Sequence, residues 1–143
     1  MANETDFATR GKVIQVEDDR VVFAPLDTSY QIELLTPSGR YDGPVDTLIE
    51  GVIRAAARKI YTVPSGGGWV EPIFGKPRII QGRIRHIDER YIVVHAGALF
   101  LIKNPDGPGS VSLSEGPVRV GAMLNATILP GLTFEYLGVA VLT

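Results

Sequence analysis

Two stretches of this sequence, GKVIQVEDDRVVFA at residues 11–24 and GRIRHIDERYIVVH at residues 82–95, resemble each other at an offset of 71 positions (82 − 11). Each begins with glycine and a basic residue, and each contains a short acidic turn, EDDR or DER, between two runs rich in Val, Ile, Phe and Tyr. Such runs, bounded by turn residues, are typical of β-strands. Each stretch therefore predicts a β-hairpin.

The similarity extends beyond the hairpins. GPVDTLIEGVIRAAA, from Gly43, loosely matches GPVRVGAMLNATIL, from Gly116, with a drift of a residue or two. Since twice 71 nearly accounts for the 143 residues, the sequence predicts an internal duplication. The first repeat is placed at residues 1–75 and the second at 76–143.

Both repeats show the same predicted order of elements. Three strands come first, then a loop rich in Pro, Gly, Ser and Asp (TPSGRYDGP or NPDGPGSVSLSEGP), then two further strands. The predicted strands of the first repeat are 11–16, 20–25, 30–35, 50–62 and 69–74. Those of the second repeat are 79–87, 90–96, 98–103, 121–129 and 132–141.

The segment at residues 47–60 is ambiguous between strand and helix. Asp46 could cap a helix, and several apolar residues fall near helical spacing: Leu48, Ile49, Val52, Ile53, Ala56 and Ile60. Gly51 weakens a helix, and the counterpart in the second repeat runs into Pro130, which stops one. The strand is the favoured interpretation, and the helix stays open as the alternative.

Five short strands with a long connection after the third resemble the OB-fold, a small Greek-key barrel. This resemblance covers nearly the whole chain and implies an all-β protein of two tandem OB-like barrels. Whether the barrels are separate or fused into one sheet system stays open. The strings TVPSGG, PIFG and RIIQGR, within residues 62–83, also resemble uncharacterised bacterial proteins that carry no assigned activity.

The composition excludes several classes of protein. No cysteine is present, so disulfides, thiolate nucleophiles and Cys-ligated metals are ruled out. The N-terminal segment MANETDFATR carries acids and lacks the apolar core of a signal peptide. The longest apolar stretch, residues 91–102, is far shorter than the roughly 20 residues that span a bilayer. We expect a cytoplasmic protein with no membrane contact.

The net charge of −2 is distributed unevenly along the chain. Residues 1–53 hold four basic and ten acidic side chains, which gives −6. Residues 54–90 hold eight basic and three acidic side chains, which gives +5. The basic segment points to an anionic partner, although a strong nucleic-acid binder usually has a basic domain overall.

No constellation of residues predicts catalysis. His86 and His95 lie on neighbouring predicted strands without clustered carboxylates for a zinc site. The acidic groups at 17–19 and 88–89 lie at hairpin tips, where burial cannot raise a carboxyl pKa for general-acid work. Lys76 follows a glycine but lacks the remainder of a phosphate-binding loop. No catalytic residue, metal ligand or cofactor is assigned, and an enzyme is not expected.

The single tryptophan, Trp69, directly follows three glycines inside a long loop at residues 63–78. One hypothesis is a non-enzymatic binding or assembly module that contacts a partner protein, or its own copy in a homodimer, through this loop. The alternative is a single-stranded nucleic-acid-binding protein that uses aromatic and basic side chains. The candidate binding residues are Trp69, Phe74, Lys76, Arg78, Arg54, Arg58, Lys59, Arg83 and Arg85.

Overall fold

The computed structural model describes residues 3–104 and 118–140, and almost all of its regular structure is β. One turn of 3-10 helix, Glu4–Phe7, precedes the first strand. The strands are β1 Thr9–Val16, β2 Arg20–Pro25, β3 Gln31–Leu35, β4 Leu48–Ala55, β5 Ala57–Val63, β6 Trp69–Glu71, β7 Phe74–Gly75, β8 Ile79–Ile87, β9 Tyr91–His95, β10 Leu99–Lys103, β11 Met123–Ile128 and β12 Thr133–Val139. The all-β prediction is confirmed. The predicted loop at 104–117 lies, beyond Asn104, outside the described residues.

Five strands close into a barrel in the order β1-β2-β3-β12-β4, with β4 pairing back onto β1. The β3–β12 pair is parallel, whereas the other four pairs are antiparallel. This order fits a five-stranded Greek-key barrel of the OB type. The strand that completes the barrel between β3 and β4, β12, comes from the C-terminal part of the chain rather than from the first half.

The sequence prediction of a fifth strand at residues 69–74 is therefore wrong. That stretch forms two short strands, β6 and β7, which add to β8 and β3 respectively. Pro72 lies between them, and a proline cannot donate a backbone hydrogen bond to a neighbouring strand. The stretch thus links the two halves of the molecule instead of closing the first barrel.

The remaining strands run β10-β9-β8-β11-β5. This set returns on itself through the bend at Ala56, because β5 continues from β4 and the end of β4 pairs parallel with β10. The segment 48–63 therefore belongs to both sets of strands. Strands from the two sides of the predicted boundary at residue 75 pair with each other: β12 with β3 and β4, β10 with β4, and β11 with β5. The predicted repeats therefore form one fused sheet system.

The ambiguous segment 47–60 is strand, and its burial explains its helix-like pattern. On one face of β4, Ile49 and Ile53 are fully buried in the main core. On the other face, Val52 packs with Val93 and Leu101 in a second cluster, against which Phe7 of the 3-10 turn packs. A strand buried on both faces carries a nearly continuous apolar run, so it lacks the alternation that identifies an exposed strand.

Local details of the first hairpin recur in the second at the same offset of 71. The β1–β2 pairing is irregular between Val13 and Gln15, and the β8–β9 pairing is irregular between Ile84 and His86. In the turns, the Glu17 amide donates to the Arg20 carbonyl at 2.8 Å, and the Asp88 amide donates to the Tyr91 carbonyl at 3.0 Å. The two hairpins therefore share a bulge and a turn geometry as well as a sequence pattern.

Candidate functional site

The segment that carries Trp69 folds back onto the protein's own body. Strand β6 pairs antiparallel with the first residues of β8, with Trp69 opposite Gln81. Val70 is only 3% exposed and belongs to the main core, whereas the preceding Trp69 is partly exposed. The backbone of Arg78 donates to the Glu71 carbonyl at 2.8 Å, which fastens the far end of the segment.

The three glycines before Trp69 form a tight cover over the side chain of Gln81. Gly66 has a φ of +136°, which favours glycine, and a Cβ there would lie 2.7 Å from the Gln81 amide nitrogen. The Gln81 Nε2 group donates to the carbonyl of Gly67 at 3.0 Å. The glycines thus let the backbone approach the sheet closely enough to accept a side-chain hydrogen bond.

One row of side chains crosses four strands on the surface of the second set of strands. The pairing places Trp69 opposite Gln81, Gln81 opposite Asn125, and Asn125 opposite Tyr61. Their sequence neighbours Val70, Ile80, Ala126 and Ile60 lie in the core. Because side chains alternate across a strand, the row faces outward. We call the surface built around it the β6–β8–β11–β5 face.

The row has aromatic ends and a polar centre. Gln81 and Asn125 are 8% and 7% exposed, and the Asn125 Nδ2 group donates to Gln81 Oε1 at 3.0 Å. Trp69 and Tyr61 are both partly exposed. Three strand spacings of about 4.8 Å separate the two aromatic residues by about 14 Å. The face therefore presents two rings on either side of a buried amide pair.

Basic side chains lie on the rows to either side. Lys59 is exposed on β5, and its ammonium group lies 5.5 Å from the centre of the Tyr61 ring, a cation–π geometry. Arg83 is exposed on β8, where it lies opposite His95, and donates to the carbonyl of Gly121 at 3.0 Å. Arg85, at the bulge in β8, is exposed as well.

Partial burial, followed by the positive charge of Arg85, lowers the pKa of His95 below its usual value of 6.5. This histidine is therefore mostly neutral at pH 7, so Arg83 and Arg85 supply the positive charge at this end of the face. As the pH falls through the lowered pKa, His95 gains a proton and adds to that charge.

A cleft of about 770 Å³ continues the face beyond Ile79. It is lined by Glu33, Glu71, Pro72, Lys76, Pro77, Arg78, Ile79, Ile128 and Pro130. Lys76 and Arg78 are exposed at this position. Glu33 forms an ion pair with Arg20, which leaves Glu71 as the acid of the cleft without an ion pair among the described residues. From Ile79 to Arg83 the surface runs about 13 Å along β8.

Three of the predicted binding residues lie elsewhere. Phe74 is 58% exposed on β7, which pairs with β3 rather than with β8. Arg58 is exposed at the irregularity in the β5–β11 pairing, between Ala57 and Lys59, and has no partner on β11 in the rows of the face. Arg54 contacts Glu4 at 2.7 Å and Glu135 at 2.8 Å. Burial alone would lower the pKa of Arg54, but these hydrogen-bonded carboxylates raise it, so its charge is already neutralised within the protein.

The sequence did not single out Tyr61, Gln81 or Asn125. Tyr61 lies two residues from Lys59, so strand alternation could have placed those two together. Gln81 and Asn125 are 44 residues apart and meet only because β8 and β11 pair. Nothing in the local sequence predicts that register.

The acidic turns have structural roles. Asp88 Oδ1 accepts hydrogen bonds from the backbone amides of Arg90 and Tyr91, each at 2.8 Å. Burial tends to raise the pKa of Asp88, but these bonds and His86 hold it below its usual value. His86 itself stacks on Phe7 with ring centres 4.9 Å apart. Among residues 3–104 and 118–140, no group of three or more metal-ligating side chains comes together.

Comparison of the chain with protein-family models gave no match, and neither curated proteins nor solved structures matched it. In the part of the chain that the structure describes, no helix is long and apolar enough to cross a membrane. The class of protein is therefore defined by the fold: an all-β protein with a closed five-stranded barrel and further strands.

Proposed function

We propose that the protein binds single-stranded nucleic acid along the β6–β8–β11–β5 face, with Trp69 and Tyr61 stacking on bases and the surrounding cations contacting phosphates. The observation that supports this most directly is the combination of two partly exposed rings with basic side chains on both sides of them. Proteins that bind single strands combine a positively charged track with aromatic stacking surfaces.

The distribution of ion pairs supports an anionic ligand. Five arginines that line neither the face nor the cleft form ion pairs with carboxylates: Arg10, Arg20, Arg40, Arg54 and Arg90. The carboxylate that Arg20 contacts, Glu33, belongs to the cleft. Among the described residues, no such pair is formed by Lys59, Lys76, Arg78, Arg83 or Arg85. Part of the acidic charge of the chain is thus paired away from this surface, whose five cations have no ion pair among the described residues. In the same part of the chain, Lys12, Arg58, Lys103 and Arg119 are exposed without an ion pair as well, but they lie singly outside the face.

The dependence of binding on salt tests the proposal. Each phosphate contact to a single strand changes the slope of log K against log salt concentration by about −0.7. We expect the double variant Arg78→Gln/Arg85→Gln to reduce the steepness of that slope by about 1.4, if both arginines contact phosphate. The measurement is a titration of Trp69 fluorescence with an unstructured single-stranded oligonucleotide at several salt concentrations.

The matched control is Lys12→Gln/Lys103→Gln, which removes the same charge from exposed positions on β1 and β10. This variant is expected to keep the wild-type slope. An equal loss of slope in both variants would mean that only net charge matters, and no binding by the wild type at low salt would refute the proposed function.

A second candidate is association with a partner protein or with a second copy through the loop 63–78. The observation that favours it is Phe74, a large apolar side chain that is 58% exposed on the two-residue strand β7. If Phe74 lies in such an interface, Phe74→Ser should shift the sedimentation profile towards a smaller species. A profile that is the same for both proteins over a dilution series would count against self-association through this residue.

The repeat organisation belongs to the same proposal. An internal duplication with halves at 1–75 and 76–143 is supported by the bulge and the turn hydrogen bonds that recur 71 residues apart. Each half then contributes its own hairpin, whereas the strands that follow the long loops are shared between the two sets of strands. We also propose a cytoplasmic location, which the lack of cysteine in the sequence fits.

A further inference from the structure

The proposed function leaves open whether the protein distinguishes one base from another. Resting on that function, we propose that the buried amide pair Gln81–Asn125 reads one base of the bound strand, and that the base is adenine. The turn at Gly66 and Gly67 covers Gln81 in the unbound protein and is displaced when the base enters.

The position of the amide pair supports a role in recognition. Gln81 and Asn125 occupy the two central places of the row whose ends are Trp69 and Tyr61. A strand that stacks on both rings must therefore pass over the amides. Polar side chains at 8% and 7% exposure are unusual on the outward face of a sheet, where solvent or a ligand normally satisfies such groups.

The hydrogen bonds of the pair are arranged in one direction. Asn125 Nδ2 donates to Gln81 Oε1 at 3.0 Å, and Gln81 Nε2 donates in turn to the Gly67 carbonyl at 3.0 Å. The bond between the two side chains fixes the orientation of the Gln81 amide group. The bond to Gly67 is the one that a ligand can replace, because its acceptor belongs to the cover rather than to the sheet.

The cover can move without disturbing the strands beneath it. Gly66, Gly67 and Gly68 are all exposed, and Gly67 has no atom within 4 Å of the position where a Cβ would lie. The following residues are anchored independently, since Val70 is buried and β6 pairs with β8. Gly68 lies close to the backbone of His95 and Ala96, so displacement of Gly66 and Gly67 alone leaves Trp69 in place as a stacking surface.

Once Gly67 has moved, Gln81 offers a complete recognition edge. Its Nε2 group has a free N–H donor, and its Oε1 atom keeps a second lone pair beside the one that accepts from Asn125. An adjacent donor and acceptor match N7 and N6 of adenine, the base that Asn and Gln side chains pair with in two-bond geometry. Asn125 acts as a positioning residue, because it holds Gln81 in the orientation that this pairing needs.

The test compares three homopolymers of equal length, oligo(dA), oligo(dT) and oligo(dC), by Trp69 fluorescence at one fixed salt concentration. The wild type is expected to bind oligo(dA) about tenfold more tightly than the other two. The variant Gln81→Met keeps the length of the side chain but removes both hydrogen-bonding groups. It is expected to bind all three, with the preference for oligo(dA) reduced to less than about twofold.

Gln15→Met is the matched control, since it makes the same change at an exposed position on β1, away from the face, and the wild-type preference should persist in it. A preference for oligo(dA) that survives Gln81→Met would overturn the inference, because purine stacking alone would then account for it. Binding without any base preference in the wild type would also overturn it while leaving the proposed function intact. Absence of binding to all three homopolymers would refute both.

Discussion

Replacing Phe134 with alanine is expected to lower the free energy of unfolding by about 3–5 kcal/mol, the usual cost of truncating a buried phenylalanine. Phe134 lies on β12 and is 4% exposed. Its ring is 4.8 Å from that of Phe23 on β2 and 6.4 Å from that of Tyr41. The truncation therefore removes apolar contacts from the centre of the first barrel, although the residue comes from the last strand of the chain.

The measurement is equilibrium unfolding in urea, followed by circular dichroism and by Trp69 fluorescence. Since β12 closes the first barrel and segment 48–63 belongs to both sets of strands, both signals should show the same transition, at a lower urea midpoint than in the wild type. Leu137→Ala on the same strand is the control, because Leu137 is 36% exposed and should cost less than about 1 kcal/mol. Equal costs for the two variants would contradict this account of the barrel.

Replacing Trp69 with alanine is expected to weaken binding of a single-stranded oligonucleotide by about 1–3 kcal/mol, which corresponds to roughly 5- to 150-fold. The loss follows from the removal of one of the two stacking surfaces on the β6–β8–β11–β5 face. Val70 continues to anchor β6 in the core. The fold should therefore survive the substitution, as a thermal unfolding curve would show.

Because this variant lacks the intrinsic fluorophore, the binding is measured by the fluorescence anisotropy of a labelled oligonucleotide. Trp69→Phe should restore part of the affinity, since a smaller ring still stacks. Phe74→Ala removes an exposed aromatic residue that lies on β7, away from the face, and is expected to leave affinity unchanged. If Phe74→Ala weakened binding as much as Trp69→Ala, the ligand would have to follow β7 instead.

The candidate site was predictable only in part. The basic segment and the single tryptophan after three glycines are visible in the sequence, and strand alternation is enough to relate Arg83 to its neighbours along β8. Cross-strand register is a tertiary property, so the meeting of Trp69, Gln81, Asn125 and Tyr61 had no sequence signal. For Arg54 the sequence predicts a positive charge that a ligand could contact, whereas in the structure Glu4 and Glu135 neutralise that charge.

By itself, the sequence determined the all-β class, the position of most strands, the acidic turns and the repetition at 71 residues, because each of these depends on residues that are close in the chain. Only the tertiary structure decided which strand completes each five-stranded set. Residues 69–74 and β12 both follow a fourth strand and a turn, so local propensity cannot separate them. Strand β12 completes the first barrel because it packs Phe134 against Phe23. Strand β4 is apolar on both faces, so it contributes to both clusters of buried side chains.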